Sequence, residues 1–315
     1  MILLIDFSNV VYSSIFSCMA SEVPPIKNPE DCPPNYTDYL LTFQQKTEDL
    51  LHTIFPYDAT IREYYFVIDD RPVEKHRLFP EYKAKRKRNG GFRFDPKRRA
   101  MEMLAHWGAK IIYSEYQEAD DAISSYIGSN PDEKFVVATT DKDLWQLCQL
   151  DNVRIFNFHN KNKEKRYVTS DQLDDAFVDS KTNRQALEDA GLKFHYSHIA
   201  LYKTLWGDSS DNIPNLIQRQ KKVLLPIIAQ TDGTYESFQK KIRENWFKVT
   251  AKNKPIITDT CKNLLVEFKE QLKLFYQIVN LKYACPVVCE VMTQATIDAH
   301  AERAKIAKEL EAIPW

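Results

Sequence analysis

The sequence has 315 residues, of which 43 % are hydrophobic, so the chain can bury a substantial core and the disordered and fibrous classes are excluded. No apolar run approaches the roughly 20 residues needed to cross a bilayer, and the start, MILLIDFSNVVY, lacks the basic region and cleavage site of a signal peptide. We therefore expect a soluble protein of a reducing compartment without a membrane partner. The formal net charge of −1 hides a concentration of basic residues between positions 75 and 99.

The N-terminal part of the chain alternates short apolar segments with helix-like segments. The apolar segments are ILLI (2–5), YYFVI (64–68), KIIY (110–113) and FVVAT (135–139). Short continuous apolar strands that are separated by helices predict a parallel sheet covered on both faces. A proline-rich segment, residues 21–34, lies before a helix predicted over residues 36–54.

Between residues 75 and 99 the chain has eleven Lys or Arg against two acidic residues. Aromatic residues interleave this run at Phe79, Tyr82, Phe92 and Phe94. Aromatic rings that stack on bases, set among cations that bind phosphates, are typical of a nucleic-acid surface. A solvated charged face is the alternative interpretation.

The rest of the chain is predominantly helical. LWQLCQL (144–150) predicts a helix, NVRIFNF (152–158) a further strand and KNKEKR (161–166) a basic turn. A helical pattern follows from about residue 171, with a strand over 284–291 and an amphipathic helix over 293–315. We therefore predict an α/β fold, with a mostly parallel central sheet flanked by helices over residues 1–170 and a mainly helical region over 171–315. For the last helix, packing on the core and docking to a partner protein are both open.

Acidic residues follow the predicted strands, at the edge of the sheet where parallel α/β folds bind ligands. The set also includes the acids of the EADD, TTDKD and GDSSD segments. Its members are Asp6, Asp69, Glu118, Asp120, Asp121, Asp141, Asp143, Asp208 and Asp211. Any one of them can be a helix cap or a turn residue, but together they would repel one another unless a cation compensates. Because these segments offer only oxygen ligands, we expect two Mg²⁺ or Mn²⁺ ions, which can hydrolyse a phosphodiester.

The six cysteines form no CxxC pair, which favours buried free thiols over a zinc site.

Six motifs in chain order resemble the 5′-nuclease family of flap endonucleases and 5′-3′ exonucleases, especially its bacterial and phage members. The motifs are IDFSN (5–9), VIDD (67–70), EYKAKR (81–86), EADDAIS (118–124), TTDKDLWQL (139–147) and GDSSDNIP (207–214). The resemblance implies a PIN-like nuclease core that hydrolyses DNA 5′ ends, flaps or RNA primers by a two-metal-ion mechanism, in replication or repair. A metal-dependent ribonuclease of the same core fold and a catalytically silent nucleic-acid-binding relative are the alternatives.

The resemblance also implies roles for single residues. Asp6, Asp69, Glu118 and Asp120 would surround one ion, with Asp121 close by, and Asp141, Asp143, Asp208 and Asp211 would hold the second. Lys83 and Arg86 would contact the scissile phosphate, and Tyr82 would stack on a terminal base. Residues 77–99 would form a helical arch or gateway for a 5′ single strand, with the NGG at 89–91 as a mobile loop. Further DNA contacts are expected from Lys85, Lys87, Arg88, Arg93, Lys97, Arg98, Arg219, Lys221 and Lys222.

One departure from the family pattern concerns the binding of duplex DNA. The family has a glycine-rich hairpin that binds duplex phosphates through backbone amides and a monovalent cation, whereas residues 215–228, NLIQRQKKVLLPII, contain no glycine. We therefore expect side-chain charge to bind the phosphates, and a K⁺ site is in doubt.

The resemblance further implies a monomer in the cytoplasm, of the host if a phage encodes it, that works on RNA-DNA primers or 5′ single-stranded ends with replication proteins.

Overall fold

A six-stranded sheet forms the centre of the structure, a computed structural model that describes residues 1–54, 63–178, 180–250, 254–281 and 285–311 and omits the side chain of Arg88. The strands are β1 (Ile2–Asp6), β2 (Glu63–Val67), β3 (Lys110–Tyr113), β4 (Phe135–Ala138), β5 (Val153–Phe156) and β6 (Val288–Val291). Their spatial order is β5-β4-β1-β2-β3-β6, with β1 to β5 parallel and β6 antiparallel to β3. The predicted mostly parallel sheet is confirmed.

Helices lie on both faces of this sheet and make up most of the C-terminal half. The N-terminal half contains α1 (Phe7–Ser21), α2 (Asp38–Ile54), α3 (Val73–Leu78), α4 (Pro96–Trp107) and α5 (Ala119–Ser129). The C-terminal half contains α6 (Ser170–Phe177), α7 (Lys181–Glu188), α8 (Ile199–Trp206), α9 (Lys221–Ile228), α10 (Tyr235–Asn245), α11 (Asp259–Glu267), α12 (Lys269–Val279) and α13 (Gln294–Glu311). Short 3-10 helices lie at Pro29–Asp31, Arg88–Gly91, Asp143–Gln149, Lys163–Lys165 and Tyr196–His198. Within the described ranges, no helix is long and apolar enough to span a bilayer.

Alternate residues of β1 point to opposite faces of the sheet, and both faces are covered. Leu3 and Ile5 belong to a core cluster with residues of α1, α2 and α4. Ile2 and Leu4 belong to a second cluster with residues of α5 and of the C-terminal helices. Burial on both faces explains why the strand is a continuous apolar run instead of an alternating one.

The C-terminal half of the chain completes the N-terminal sheet. β6 pairs with β3, with Cys289 opposite Ile112, and the second core cluster contains residues from Ile2 to Leu281. The strand is shorter than the predicted 284–291, and Ala284 lies outside the described residues. The domain boundary near residue 170 stays a prediction.

Several local predictions need correction. The segment 144–150 lies in a 3-10 helix and not in an α-helix. Residues 79–95 contain no α-helix, because Pro80 and the left-handed backbone at Lys83, Asn89 and Gly90 are incompatible with one. All six cysteines are free thiols, but only Cys32 and Cys261 are buried, and Cys289 is exposed.

Candidate active site and metal centre

The carboxyl ends of β1, β2 and β4 open into one cleft with a volume of about 800 Å³. Since parallel neighbouring strands end together, the residues that follow them share this edge of the sheet. The cleft is lined by Asp6, Asp69, Glu118, Asp120 and Asp141, together with Lys83 and Arg86. The structure therefore brings together the four acids predicted for the first ion and one of those predicted for the second.

Asp6 is held by two hydrogen bonds at the start of α1. Its carboxylate caps the helix by accepting from the backbone N–H of Asn9 at 3.0 Å, and it also accepts from the hydroxyl of Thr139 at 2.8 Å. Burial, followed by the charge of Asp69, raises the pKa of Asp6 to about 7. A carboxyl in this state favours a bound proton or cation.

Asp69 and Asp120 complete this side of the cleft. Asp69 accepts hydrogen bonds from the Ser8 hydroxyl and from the backbone N–H of Ala119 at 3.1 Å, where α5 begins. Burial raises the pKa of Asp120 well above its ordinary value, and the charges of Asp141 and Asp6 raise it further. The crowding of like charges that the sequence predicts is therefore present in the structure.

The GDSSDNIP motif forms a closed loop that presents two carboxylates. Backbone hydrogen bonds of 2.9 and 2.8 Å join Asp208 and Ile213 in both directions. Gly207 has a φ of 78°, and a Cβ there would lie 2.6 Å from the carbonyl oxygen of Ile213, so the loop requires glycine. Among the described residues, Asp143, Asp208 and Asp211 form the acidic group whose ligand atoms all lie within 4.8 Å of one another. This group contains three of the four acids predicted for the second ion.

Lys203 is a site residue that the sequence analysis missed. This lysine of α8 is buried and forms ion pairs with Asp143 and, at 2.6 Å, with Asp208. Burial alone would raise the pKa of Asp208, but the Lys203 ammonium lowers it to about 2. The available signal was a single cation in the otherwise apolar helix IALYKTLW, directly before the acidic loop.

Glu118 lies at the centre of a cationic group on the other side of the cleft. Its two oxygens pair with Lys83 and, at 2.9 Å, with Lys75, and it accepts from the Tyr82 hydroxyl at 2.7 Å. Burial would raise the pKa of Glu118, but Lys75 and Lys83 hold it well below the ordinary value. Lys75, which belongs to the predicted nucleic-acid surface, is instead a buried counter-ion.

Two residue predictions do not fit this arrangement. The Tyr82 side chain is 1 % exposed and packs among apolar residues of α8 and α12, so the prediction that it stacks on a base is wrong for this conformation. Asp121 is fully buried, and its carboxylate lies 2.7 Å from the ammonium of Lys75. Asp121 is therefore a partner of α3 and not a ligand in the cleft.

Lys83 and Arg86 connect the EYKAKR motif to the GDSSDNIP motif. The Arg86 guanidinium donates to the Asp211 carboxylate at 3.0 Å and to the Ser210 carbonyl at 3.1 Å. The backbone N–H of Lys83 donates to the Asp211 carbonyl at 3.1 Å, and its ammonium lies 3.6 Å from the Asp211 carboxylate. Both cations predicted to contact the scissile phosphate thus lie beside candidate metal ligands.

The other cations predicted to bind DNA differ in their surroundings. Lys97 lines the cleft, 3.7 Å from the Asp69 carboxylate, and Lys87 lines it as well. Lys85 and Arg93 are exposed, Arg98 pairs with Glu102 and Asp298, and the side chain of Arg88 lies outside the described part of the chain. The rings of Phe92 and Phe94 are buried in the core, so the prediction that they stack on bases is wrong.

The glycine-free segment that follows the acidic loop makes a tight turn before α9. Arg219 has a φ of 60°, the left-handed conformation that usually favours glycine, and α9 begins at Lys221. Arg219 and Lys222 are exposed, whereas Lys221 donates to the Tyr202 hydroxyl and lies 4.7 Å from the centre of that ring. Arg219 therefore precedes α9, whereas Lys221 and Lys222 form its first turn.

Comparisons with known proteins show which proteins the chain is similar to. No curated protein is significantly similar to the chain in sequence. Among solved structures, the chain is similar to bacteriophage T5 flap endonuclease in a pseudo-enzyme-product complex with DNA and metal ions, with 14 % identity, a TM-score of 0.55 and 99 % of each chain covered. It is also similar to T5 5′-exonuclease with bound zinc ions, with 15 % identity, a TM-score of 0.55, and 98 % of this chain and 99 % of that chain covered. At these identities the solved structures show the fold alone.

The family follows from the sequence model of the 5′-3′ exonuclease N-terminal resolvase-like domain. This model matches residues 1–179, which is more than half of the chain. The matched residues include β1 to β5 and the acids from Asp6 to Asp143, that is, the strands and most of the carboxylates that build the cleft. The chain belongs to the 5′-nuclease family of 5′-3′ exonucleases and flap endonucleases.

Proposed function

We propose that the protein is a divalent-metal-dependent 5′-nuclease that hydrolyses phosphodiester bonds at DNA 5′ ends, flaps or RNA primers, in replication or repair. The observation that supports this most directly is that two cationic side chains suited to binding phosphate lie beside the carboxylates. Lys83 and Arg86 both contact Asp211, and Lys83 also contacts Glu118 at the edge of the acidic cleft. A phosphodiester bound there would have cations and metal ligands on either side.

The charges in the site support two divalent ions. Of the nine predicted carboxylates, six form ion pairs with five cationic side chains, which are Lys75, Lys83, Arg86, Lys97 and Lys203. The nine carboxylates thus outnumber the five cations that pair with them, and bound divalent ions would compensate the excess of negative charge. Burial raises the pKa values of Asp6 and Asp120, and the charges of neighbouring carboxylates raise them further, so a bound cation would be favourable beside both acids.

The ligand sets proposed for Mg²⁺ or Mn²⁺ are Asp6, Asp69, Glu118 and Asp120 for one ion, and Asp141, Asp143, Asp208 and Asp211 for the other. When bound, such ions supply Lewis-acid charge at the scissile phosphate. The protein contributes the positioning: Thr139 and Asn9 orient Asp6, and Ser8 orients Asp69. Lys83 and Arg86 would donate to the phosphate oxygens, where negative charge develops in the transition state.

The substrate and partners are part of the same proposal. DNA with a 5′ single-stranded end or an RNA-DNA primer is the proposed substrate, and the solved bacteriophage T5 complex with DNA and metal ions supports the choice of DNA. A monomeric state, a cytoplasmic location and contacts with replication proteins stay predictions.

Cleavage of a 5′-labelled panel would test the proposal. The panel contains a flap, a nick, a gap, a blunt duplex, a single strand and an RNA primer on DNA, each incubated with Mg²⁺ or with a chelator. We expect cleavage of DNA 5′ ends with Mg²⁺ and none with the chelator. Full turnover in chelator would contradict the metal requirement, and cleavage of RNA alone would identify a ribonuclease.

Replacing one ligand separates chemistry from binding. Asp141→Asn should lower turnover by orders of magnitude while DNA binding is kept, because the carboxylate is proposed to hold metal and repels the phosphate. Asp151→Asn is the matched control, since Asp151 is an exposed residue ten positions further along the chain. Equal activity of both variants would contradict the assignment of Asp141, and DNA binding by a wild-type protein that cleaves nothing would identify a silent relative.

A further inference from the structure

The C-terminal helix α13 contacts the nuclease core through one charged face. Ile297, His300, Arg303, Ala307 and Glu311 recur at spacings of three and four residues, so they share a face of the helix. This helix packs against α3 and α4. The contact face therefore combines two buried apolar residues, Ile297 and Ala307, with polar residues that form ion pairs and hydrogen bonds.

The strongest of these contacts involves Asp70, the second aspartate of the VIDD motif. One carboxylate oxygen lies 2.5 Å from Nδ1 of His300, and the other accepts from Nε of Arg303 at 2.6 Å. The Arg303 guanidinium also lies over the ring of Tyr113, 4.5 Å from its centre. The Asp70 side chain is 2 % exposed and that of Arg303 is 11 % exposed, so this is a buried pair that solvent screens weakly.

This pair has consequences for the neighbouring candidate ligand, Asp69. The backbone of Asp70 is fixed as well, because its N–H donates to the Gln117 carbonyl at 2.9 Å. With its backbone and side chain both held, Asp70 anchors the turn after β2 that carries Asp69 into the cleft. Asp70 also lines the cleft, and its pairing with α13 compensates the charge of this tenth carboxylate.

The same helix also holds α3. Arg71, just before α3, pairs with both carboxylate oxygens of Glu311 at 2.6 and 2.7 Å. Arg77, near the end of α3, donates twice to the Leu310 carbonyl at 3.0 and 3.1 Å. Between these two contacts lies Lys75, the buried counter-ion of Glu118 and Asp121.

We infer that α13 is a positioning element of the nuclease site and that Arg303 is a positioning residue, which acts on Asp69 through Asp70. The inference rests on the proposed nuclease function. It assigns a role to a helix that lies more than a hundred residues beyond the part of the chain that matches the family domain. Among the described residues Arg303 contacts Asp70, Glu115, His300 and Tyr113, none of which is a proposed metal ligand, so its effect is expected on turnover and metal affinity and not on DNA affinity.

A double-mutant cycle tests this inference. Arg303→Gln, Asp70→Asn and the double variant are compared for kcat and KM on the flap substrate, and for Mn²⁺ affinity by electron paramagnetic resonance without DNA. Arg303→Gln should lower kcat and Mn²⁺ affinity by about tenfold with KM changed less than twofold. In the Asp70→Asn background the same substitution should have little further effect. Lys305→Gln is the control, because Lys305 is exposed on the same helix and pairs only with Glu302 among the described residues.

Other outcomes would overturn the inference. Wild-type kcat and Mn²⁺ affinity in Arg303→Gln, even with a lower Tm, would mean that the contact serves stability alone. Additive losses in the double variant would mean that Arg303 does not act through Asp70. If Arg303→Gln does not fold, Asp70→Asn should still show the tenfold losses, and wild-type values in a folded Asp70→Asn variant would contradict the inference. A wild-type protein that binds Mn²⁺ but cleaves nothing would contradict the proposed function, whereas the Mn²⁺ comparison would still test the role of Arg303.

Discussion

Lys83 lies between the carboxylates proposed for the two ions. Its ammonium contacts Glu118 and Asp211, and its backbone has a φ of 54°, a conformation that a residue other than glycine rarely adopts. Strained backbone at a charged residue in a cleft is typical of functional sites. The backbone conformation and contacts of Lys83 therefore indicate a functional role more strongly than the charge of the neighbouring basic residues does.

Lys83→Ala should lower kcat at saturating substrate by about a hundredfold or more, because a donor to the reacting phosphate acts mainly in the transition state. Lys85→Ala is the matched comparison, since Lys85 is exposed two residues further along and is expected to contact DNA, so its loss should change affinity and leave kcat at saturating substrate unchanged. Single-turnover kinetics with both variants would measure this. A change in affinity alone for Lys83→Ala would contradict its proposed role in catalysis.

His198 is a buried neutral histidine whose ring nitrogens form hydrogen bonds with backbone groups outside the acidic loop. Its Nδ1 accepts from the backbone N–H of His195 at 2.9 Å, and its Nε2 donates to the Thr231 carbonyl at 3.1 Å. Burial lowers its pKa to about 4, against 6.5 for an ordinary histidine. Between these two values the unfolded chain binds more protons than the folded protein, so stability is lost as the pH falls through this window.

The expected pH effect can be isolated with one substitution. His198→Gln keeps polar atoms at the site but does not titrate. From pH 7.5 to pH 5 the wild type should lose about 2 kcal/mol more of its free energy of unfolding than the variant does. Urea unfolding of both proteins at the two pH values measures the difference. Equal losses in both proteins would show that His198 is not the titrating group.

The residues of the site were predictable to different degrees. Asp6, Asp69 and Asp141 were predictable because parallel strands end at a common edge. Asp120 and Asp121 are adjacent in α5 and therefore point about 100° apart, and spacing alone did not show which of them faces the cleft. Lys203 had no motif that connects it to Asp143, sixty residues earlier, since this contact depends on how α8 packs.

Residues 215–220, between the acidic loop and α9, make a tight turn without glycine, and Arg219 of this turn and Lys222 of α9 are exposed cations that are predicted to bind duplex phosphates. We expect the Arg219→Ala and Lys222→Ala double variant to weaken duplex binding. The slope of log affinity against log salt should fall by up to about two. Lys305→Ala with Lys308→Ala removes the same charge from exposed positions of α13 and should leave the slope unchanged. Fluorescence anisotropy over a range of salt concentrations measures both slopes.

A cation test on the same connection distinguishes side-chain binding from a backbone cation site. If side chains bind the phosphates, exchange of K⁺ for Na⁺ at constant ionic strength should hardly change the duplex affinity. The left-handed turn at Arg219 is compatible with a backbone cation site, because turns of this kind can orient backbone groups toward an ion. A strong K⁺ preference that survives the double substitution would contradict the side-chain interpretation.

Elements were predictable where one local rule decided them. The segments ILLI and KIIY are strands because continuous apolar residues are buried on both faces of the sheet. The basic and aromatic segment 79–95 was not predictable, because the rings of Phe92 and Phe94 could stack on bases or fill the core, and in the structure they fill the core. The position of α13 depends on ion pairs with residues more than two hundred positions away, which no local pattern contains.

At the scale of the whole molecule, the two halves of the chain share one core. β6 completes the sheet, α13 holds the turn after β2, and Trp145 packs against Phe177 across the predicted boundary near residue 170. Asp208 and Asp211 from the C-terminal half stand beside Asp143 from the N-terminal half. Such shared packing favours cooperative unfolding over the independent unfolding of two domains.

We therefore expect urea unfolding to give one transition with the same midpoint by far-UV circular dichroism and by tryptophan fluorescence, since Trp145 and Trp206 lie in the shared cluster. A fragment of residues 1–179, the extent of the matched family domain, would lack β6, α13, Lys203 and the acidic loop, and would expose the apolar residues that face α8. It should have neither a cooperative transition nor nuclease activity. Two resolved transitions in the whole chain, or a cooperatively folding fragment, would instead support the boundary near residue 170, because each half would then have a core sufficient for its own stability.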